Sequence, residues 1–570
     1  MEPTGAVARL GRLELGTGAL FGASAAFLTL LGFAIRLSNF DQSLYGDELS
    51  TYWIVHDHSL GDVVSIVRSN DEITPPLSFI LSWLTLKLGG APEWVRLPSL
   101  IASTATIPMV YLLGMRTVGR SAGLIAAAVL ALSPFLIYYS VEARAYSLMI
   151  ALVAGSTLAL LAAIRTRRTR WWVLYAVCSC AAAYTHYTSI FPLAGQGLWV
   201  LWKHREALRA CVLANLGALI GFAPWIPGFI ADNNSPTTDI LSFLHPFEFR
   251  PVRMALEQWS VGYPYARLSD VPGTLAWVLI AAGVLVALAV GILRLWRILR
   301  ASGIPLATSL RRIPEGAALV AILALSTPVG EAIFSAVGTN VLGARNLNAS
   351  WPGLSVAIGG IIAAAGIPLS IACAALVVGG YAIGAVKASG SDVSRPQYAQ
   401  VAAAIEQRWK PGDVVVDGAS VVGPIHLTPV SITGLSVYLP QPHPEVKFGI
   451  SNGEGPSVRN PPPPLPTQVQ EALRLARGHS LFLVTLPSEP SVPPEAASLL
   501  RLQDLPARAQ VLTRFGEKLG GPGLVFSGSG QLLGTLPPRF HVESDIRTFP
   551  GINPLALIEI TDRGPRYRVP

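Results

Sequence analysis

Long apolar runs, separated by short polar connections, fill the first 387 residues. A transmembrane helix needs about 20 predominantly apolar residues. Runs of that kind lie at about 18–37, 97–116, 120–139, 144–164, 171–187, 188–203, 210–230, 272–297, 315–337, 350–366 and 368–386, and predict about 11 spans. The segment PPLSFILSWLTLKLGG, 75–90, is apolar but short. Pro75 and Pro76 suit the first turn of a helix, where a missing N–H costs nothing. The pattern stops near Ser389. Beyond it, a helical segment from Val401 ends before KPGD (410–413), and VVVDG and SLFLVTLP (480–487) read as buried strands. NPPPPLP (460–466) reads as an extended connector. The prediction is a mainly α, polytopic membrane part, 1–387, followed by a soluble α/β domain, 388–570.

Charge orients the spans. Only 13% of residues are charged, about half the share of a soluble protein, and the net charge is +8. The Arg residues gather in short loops: RTRRTR (165–170), MRTVGR (115–120), WKHREALR (202–209) and the stretch from RLWRILR through RRIPEG (294–316). Placing these inside puts the N-terminus in the cytoplasm. The loop 38–96, the connections near 139–144 and 187, the segments 231–271 and 338–349, and the C-terminal domain then lie outside. Counting 75–90 as a span would invert every later loop, so it is expected to be a juxtamembrane or re-entrant outer helix. The first run is expected to be retained rather than cleaved, since no small-residue cleavage site follows it. Cys178, Cys180, Cys211 and Cys373 lie in apolar segments and read as packing residues, not a disulfide framework. No basic face with aromatic platforms suggests nucleic acid.

With this topology the unusual polar residues fall on the outer side. NFDQSLYGDELST (39–51) carries Asp41, Asp47 and Glu48, and Asp71 and Glu72 follow later in the same loop. YYSVEARAY (138–146) carries Glu142 and Arg144, THYTS (185–189) carries His186 and Tyr187, and ARNLN (344–348) carries Arg345 and Asn346. Such a set suits sugar transfer from a lipid phosphate. A carboxylate accepts the proton of an attacking hydroxyl, and a guanidinium forks onto the leaving phosphate. Asp47 is the candidate base, Arg345 the candidate clamp, and Glu142 a candidate to bind a metal or order the acceptor. Each has a plainer reading. Asp47 and Glu48 also fit a solvated pair or a helix cap, and Glu142 with Arg144 an ion pair. Arg345 and Arg96 also fit headgroup anchors, and His186 an interfacial histidine. His56 and His58 flank Asp57 but lack a clear third metal ligand.

The pieces YGDE (45–48), TPPL (74–77), VRLPSL (95–100), YSVEARAYSL (139–148), THYTSIF (185–191) and ARNLNASWP (344–352) resemble the GT-C glycosyltransferases of the protein O-mannosyltransferase and aminoarabinose transferase superfamily, bacterial branch. The resemblance covers 38–200 and 340–360. It implies a conserved membrane module, outer juxtamembrane helices, and polyprenyl-phosphate sugar donors used with inversion. On the matching positions it implies that Asp47 is catalytic with Glu48 beside it, and that Glu142 is a second acid. It also implies that Arg345 meets the donor phosphate. Relatives often carry His before the Pro pair; here the residue is Thr74, which puts that side chain's role in doubt.

The expected protein is thus a multi-pass glycosyltransferase of the cell membrane. Asp47 and Glu48 are the expected catalytic residues. Glu142, Arg144, His186, Tyr187, Arg345, Asn346 and Arg96 are the expected substrate contacts. Asp47 and Glu142 are the candidate ligands of a divalent cation (Mg, Mn or Ca). Its expected partners are the bilayer, the lipid-linked donor and an extracytoplasmic acceptor (envelope glycan, lipid or protein). A flippase for lipid-linked sugars is the competing class and would carry two matched broken helices. A non-catalytic envelope-assembly subunit is the third.

Overall fold

The computed structural model describes residues 4–69, 72–233, 246–260, 273–302, 313–338, 340–419, 433–439, 443–448, 464–485, 529, 532–533, 535–543 and 545–564. Asp71 and residues 460–463 lie outside them. The chain forms two compact units. One comprises Met1–Phe40, Leu60–Thr85 and Val95–Ala388; the other comprises Asp41–Ser59, Leu86–Trp94 and Ser389–Pro570. The sequence pattern assigns all of 38–96 to the membrane part. In the structure, 41–59 and 86–94 group with the C-terminal unit instead.

The first unit is helical, and the chain is a multi-pass membrane protein. Among the described residues, eight helices are long and apolar enough to cross a bilayer: Gly18–Leu37, Pro92–Thr117, Tyr146–Thr166, Arg205–Asn233, Thr274–Ile298, Glu315–Ala336, Asn346–Ala364 and Ile367–Ala388. The three remaining expected spans differ for local reasons. The run at 120–139 is two helices, Arg120–Leu132 and Pro134–Ser140, bent by 62°. Pro134 lacks the N–H that would continue the first helix, and Ser133 caps the second by accepting the N–H of Leu136 at 3.4 Å. Thr169–Ala183 and Ile190–Lys203 have 15 and 14 residues, shorter than a perpendicular span requires. The short apolar segment at 75–90 contains a 12-residue helix, Leu77–Leu88.

The bend leaves the last carbonyls of Arg120–Leu132 without helical partners. Arg36 supplies them. It is buried, and its Nη1 donates to Ala131 O (3.1 Å) and Gly32 O (3.0 Å), while Nη2 donates to Leu130 O (2.8 Å). A guanidinium at a helix C-terminus also opposes the negative end of the dipole. Around this point backbones meet directly. A Cβ on Gly123 would lie 2.5 Å from Tyr111 O, and one on Gly359 would lie 2.2 Å from Ala122 O. Lipid supplies no hydrophobic drive between helices, so close packing of small residues does this work.

The second unit holds a mixed sheet among its described residues. Its strands are β1 Val414–Asp417, β2 Glu445–Lys447, β3 Ser480–Thr485, β4 Phe540–Val542, β5 Arg547–Phe549 and β6 Leu555–Asp562. The order is β2-β1-β3-β6-β4, with β5 also on β6. β1 runs parallel to β2 and β3, and β6 runs antiparallel to β3. The apolar runs of β1 and β3 are buried on both faces, as the central strands of an α/β sheet must be. Val415, Phe482 and Val484 pack with the helix Tyr398–Glu406, and Val414, Val416, Leu481 and Leu483 pack with the helix Leu465–Leu475. The alternation follows from the two-residue period of a strand. Tyr45, from the acidic stretch, packs against the first of these faces.

Replacing Arg36 by Leu keeps the volume and strands two buried carbonyls at the bend, at about 1–3 kcal/mol each. We expect R36L to lower the melting temperature of the detergent-purified protein clearly, and Arg36→Lys to lower it less.

Candidate functional site

In the second unit the acidic stretch is built into the fold. Gly46 takes φ of +62°, which glycine adopts without a Cβ penalty, and turns the chain into the helix Asp47–Val55. Asp47 and Glu48 thereby occupy its first turn, where the helix dipole favours acids. The two acids have different fates. Glu48 is fully buried; its Oε2 lies 3.1 Å from Nη1 of the buried Arg395 and accepts the N–H of Tyr45 at 3.3 Å. Asp47 is half-buried.

Neighbouring residues fasten the same stretch. Leu44 N–H donates to Tyr438 Oη (2.8 Å), whose own hydroxyl donates to Glu93 (2.7 Å). Ser43 Oγ accepts from Ala399 N (3.0 Å), and Gln42 Oε1 accepts from Arg395 N (3.1 Å). Tyr45 hydroxyl accepts from Asn553. Burial pushes the Tyr45 phenol up to about 12, and the nearby charge of Asp47 adds to that rise. His56 faces Asp57 (3.1 Å) and stacks on Tyr52, while His58 meets the Trp53 ring. Among the described residues no three His, Cys, Asp or Glu side chains gather as a metal-ligand set.

In the first unit the later motifs come together around a salt bridge. Arg144 forks onto Glu72, with Nη1 2.9 Å from Oε2 and Nη2 3.3 Å from Oε1, and also reaches Thr74 Oγ1 (3.3 Å). Thr74 thus accepts from this arginine. Arg144 also lies over the Phe79 ring, 5.6 Å from its centroid. Glu142 is buried, and its carbonyl accepts the N–H of Arg144 (2.8 Å). The half-buried His186 lies beside Tyr146, with ring centroids 5.5 Å apart. Its Nδ1 accepts the N–H of Thr188 (3.3 Å), which leaves the other ring nitrogen as the carrier of any proton in the neutral form. Burial, and then the positive charges of Arg144 and Arg345, lower its pKa to about 3, so it is neutral at ordinary pH. Arg144 and Arg345 therefore both act on His186, and the three come from separate sequence motifs; Glu72, onto which Arg144 is forked, offsets part of the positive charge.

Other expected contacts are occupied by the fold. Arg96 is fully buried and donates to Phe40 O (2.8 Å). Asn346 Nδ2 donates to Val341 O (2.8 Å) and closes its own turn. Tyr187 donates its hydroxyl to Asp232 and accepts from Trp225 Nε1 (3.1 Å). Burial, first, and then its bond to Asp232 push the Tyr187 phenol well above the usual range. The sequence reading passed over Asp232 and Thr74 as site residues and gave Glu72 no partner. An acid just after an apolar run, in ADNN, was the available signal for Asp232.

Residues 74–230 match the family of dolichyl-phosphate-mannose-protein mannosyltransferase. The matched segment contains Arg96, Glu142, Arg144, His186 and Tyr187. Solved structures with a similar chain trace include ArnT from Cupriavidus metallidurans bound to undecaprenyl phosphate, at 14% identity and a TM-score of 0.49, covering 97% of this chain and 99% of that one. The archaeal oligosaccharyltransferase AglB from Archaeoglobus fulgidus, in complex with an inhibitory peptide and a dolichol-phosphate, aligns at 10% identity and a TM-score of 0.44, covering 83% of this chain and 70% of that one. The arabinofuranosyltransferase AftD from Mycobacteria aligns at 14% identity and a TM-score of 0.43, covering 96% of this chain and 40% of that one. Among curated proteins, no relative matches the chain.

Breaking a buried ion pair by removing one partner costs about 3–5 kcal/mol, whereas replacing both can be far milder. Arg395→Met should therefore destabilise the protein strongly in thermal or proteolytic assays. The double variant Glu48→Gln with Arg395→Met should recover part of that loss. Equal damage in single and double variants would contradict the pair's role.

Proposed function

We propose that this chain is a membrane glycosyltransferase that moves a sugar from a polyprenyl-phosphate carrier to a hydroxyl acceptor outside the cytoplasm. The observation that carries this reading is the neighbourhood of Arg144, His186 and Arg345 within the helical unit. Two arginines and a histidine suit a phosphate monoester or diester, because guanidinium donates to it through a planar fork. The matched family's name supports a lipid-phosphate sugar as the donor class.

In the proposed step the acceptor oxygen attacks the anomeric carbon as the bond from that carbon to the phosphate oxygen breaks. The lipid phosphate leaves with the electron pair, and Arg144 and Arg345 stabilise the charge that develops on it. His186 is positioned to donate through its free ring N–H, and binding of the anion would raise its pKa. Asp47 takes the acceptor proton as general base. Attack opposite the leaving group inverts the anomeric centre. Glu48 belongs to the reaction through Arg395: it holds the turn from which Asp47 projects. Glu142, buried beside Arg144 in sequence, is assigned to acceptor ordering. The Arg-rich loops support an arrangement with the N-terminus in the cytoplasm and the acidic stretch and C-terminal unit outside. A flippase would be expected to carry two matched broken helices; among the described residues one bent pair occurs.

The test incubates purified protein with labelled polyprenyl-phosphate sugars and membrane extract as acceptor, followed by mass analysis of products. Asp47→Asn should abolish transfer, by at least about a hundredfold for loss of a general base, while retaining the wild-type melting temperature and binding of undecaprenyl phosphate. Normal transfer by D47N would remove Asp47 from the mechanism.

A further inference from the structure

Glu331, Asn348 and Ser189 are among the buried side chains of the helical unit with polar atoms that have no hydrogen-bond partner among the described residues. Neither carboxylate oxygen of Glu331 is bonded, although the residue is 1% exposed. Asn348 is fully buried with both Oδ1 and Nδ2 unbonded, and Ser189 is fully buried with its Oγ unbonded. Buried polar groups are nearly always paired, and each unpaired one costs about 1–3 kcal/mol.

The three belong to elements that meet. Glu331 lies in the last two turns of the helix Glu315–Ala336. Thr327, four residues earlier, shares its face. Thr327 Oγ1 bonds Leu347 O (3.1 Å) and Ser350 Oγ (2.6 Å), so this face is turned toward the short 3-10 segment Asn346–Ser350 that carries Asn348. That segment packs in turn against the 3-10 segment Tyr187–Ser189, which ends on Ser189. On the same side, a Cβ on Gly330 would lie 2.2 Å from the Phe191 ring, so the chain just after Ser189 is pressed against the turn that holds Glu331.

The chain also connects these groups to His186 and Arg345. Ser189 follows His186 by three residues, and Asn348 follows Arg345 by three. Arg345 has helical backbone angles at the start of its 3-10 segment, so that spacing brings Arg345 and Asn348 to one face, while His186 is the extended residue that caps the segment ending on Ser189. A carboxyl group, a carboxamide and a hydroxyl, each able to donate and to accept, complement neighbouring hydroxyl groups of a polyol.

We propose that Glu331, Asn348 and Ser189 form a hydroxyl-recognition subsite for the sugar ring of the lipid-linked donor. The inference rests on the transferase reading above and adds the residues that distinguish a glycosylated carrier from a bare one. The Glu331 carboxyl bonds two ring hydroxyls, and Asn348 and Ser189 complete the hydrogen bonds of their neighbours. The carrier phosphate is held separately by Arg144, His186 and Arg345.

The test measures binding of two kinds of probe to the full chain in lipid nanodiscs: undecaprenyl phosphate, and undecaprenyl phosphate esterified with mannose, glucose or arabinose. Wild type should prefer at least one glycosylated probe over the bare lipid by about tenfold or more, the scale of one or two hydrogen bonds. Glu331→Gln and Asn348→Ala should each erase most of that preference and leave the affinity for bare undecaprenyl phosphate within about twofold. Arg345→Ala should weaken both kinds of probe together. If Glu331→Gln does not fold, Ser189→Ala removes one hydroxyl with little change in volume and must show the same selective loss. Variants that keep the preference, or that weaken both probes equally, overturn the subsite. A wild type that binds bare lipid but prefers no glycosylated probe overturns the subsite and leaves phosphate binding standing. A wild type that binds neither overturns the transferase reading and the subsite with it.

Discussion

A buried carboxylate and a buried guanidinium, Glu48 and Arg395, set the character of the acidic stretch. Neither charge is tolerated alone in a desolvated place. Together they tie the first turn of the helix Asp47–Val55 to the chain beyond Ser389, 347 positions further along the sequence. Gln42, Ser43, Leu44 and Tyr45 are bonded to the same unit on either side of the pair. The stretch is therefore a structural part of the C-terminal unit, and its length outside a membrane span does not make it a loose loop. Adjacent acids are thereby separated by role. One is consumed in holding the turn, and the other, half-buried, is left as the candidate for chemistry.

The same sorting applies to the arginines. Arg36 supplies carbonyls left over by a bend, Arg96 supplies a carbonyl at Phe40, and Arg395 neutralises Glu48. Arg144 is shared between a carboxylate, a hydroxyl and an aromatic face. Buried away from water, each donor must find an oxygen within the protein or on a ligand. This constraint explains why a chain of low charge still holds so many precisely partnered cations.

Much of the architecture was legible because it depends on local pattern. Apolar length identified the spans, and unbroken Val and Leu runs identified β1 and β3. The bend at Pro134 and the short helices at 169–183 and 190–203 were less visible, since apolar length alone does not report where a helix breaks. Family motifs pointed to Arg144, His186 and Arg345, yet gave no indication that Arg144 would be forked onto Glu72, 72 positions away. Nor could YGDE reveal which of its two acids is buried, because the answer lies in Arg395. Glu331 was visible as a single acid in an apolar run, but its meaning depends on Asn348 and Ser189, which only the packing of three elements brings into relation. Local signals fix elements; the choice of distant partners is made by packing.

The direct measurement is an electron cryomicroscopy map of the full chain in nanodiscs with undecaprenyl phosphate. The account predicts phosphate density within hydrogen-bond distance of Arg144, His186 and Arg345. Phosphate density at the Arg-rich loops, such as 165–170, with none at His186, would contradict it.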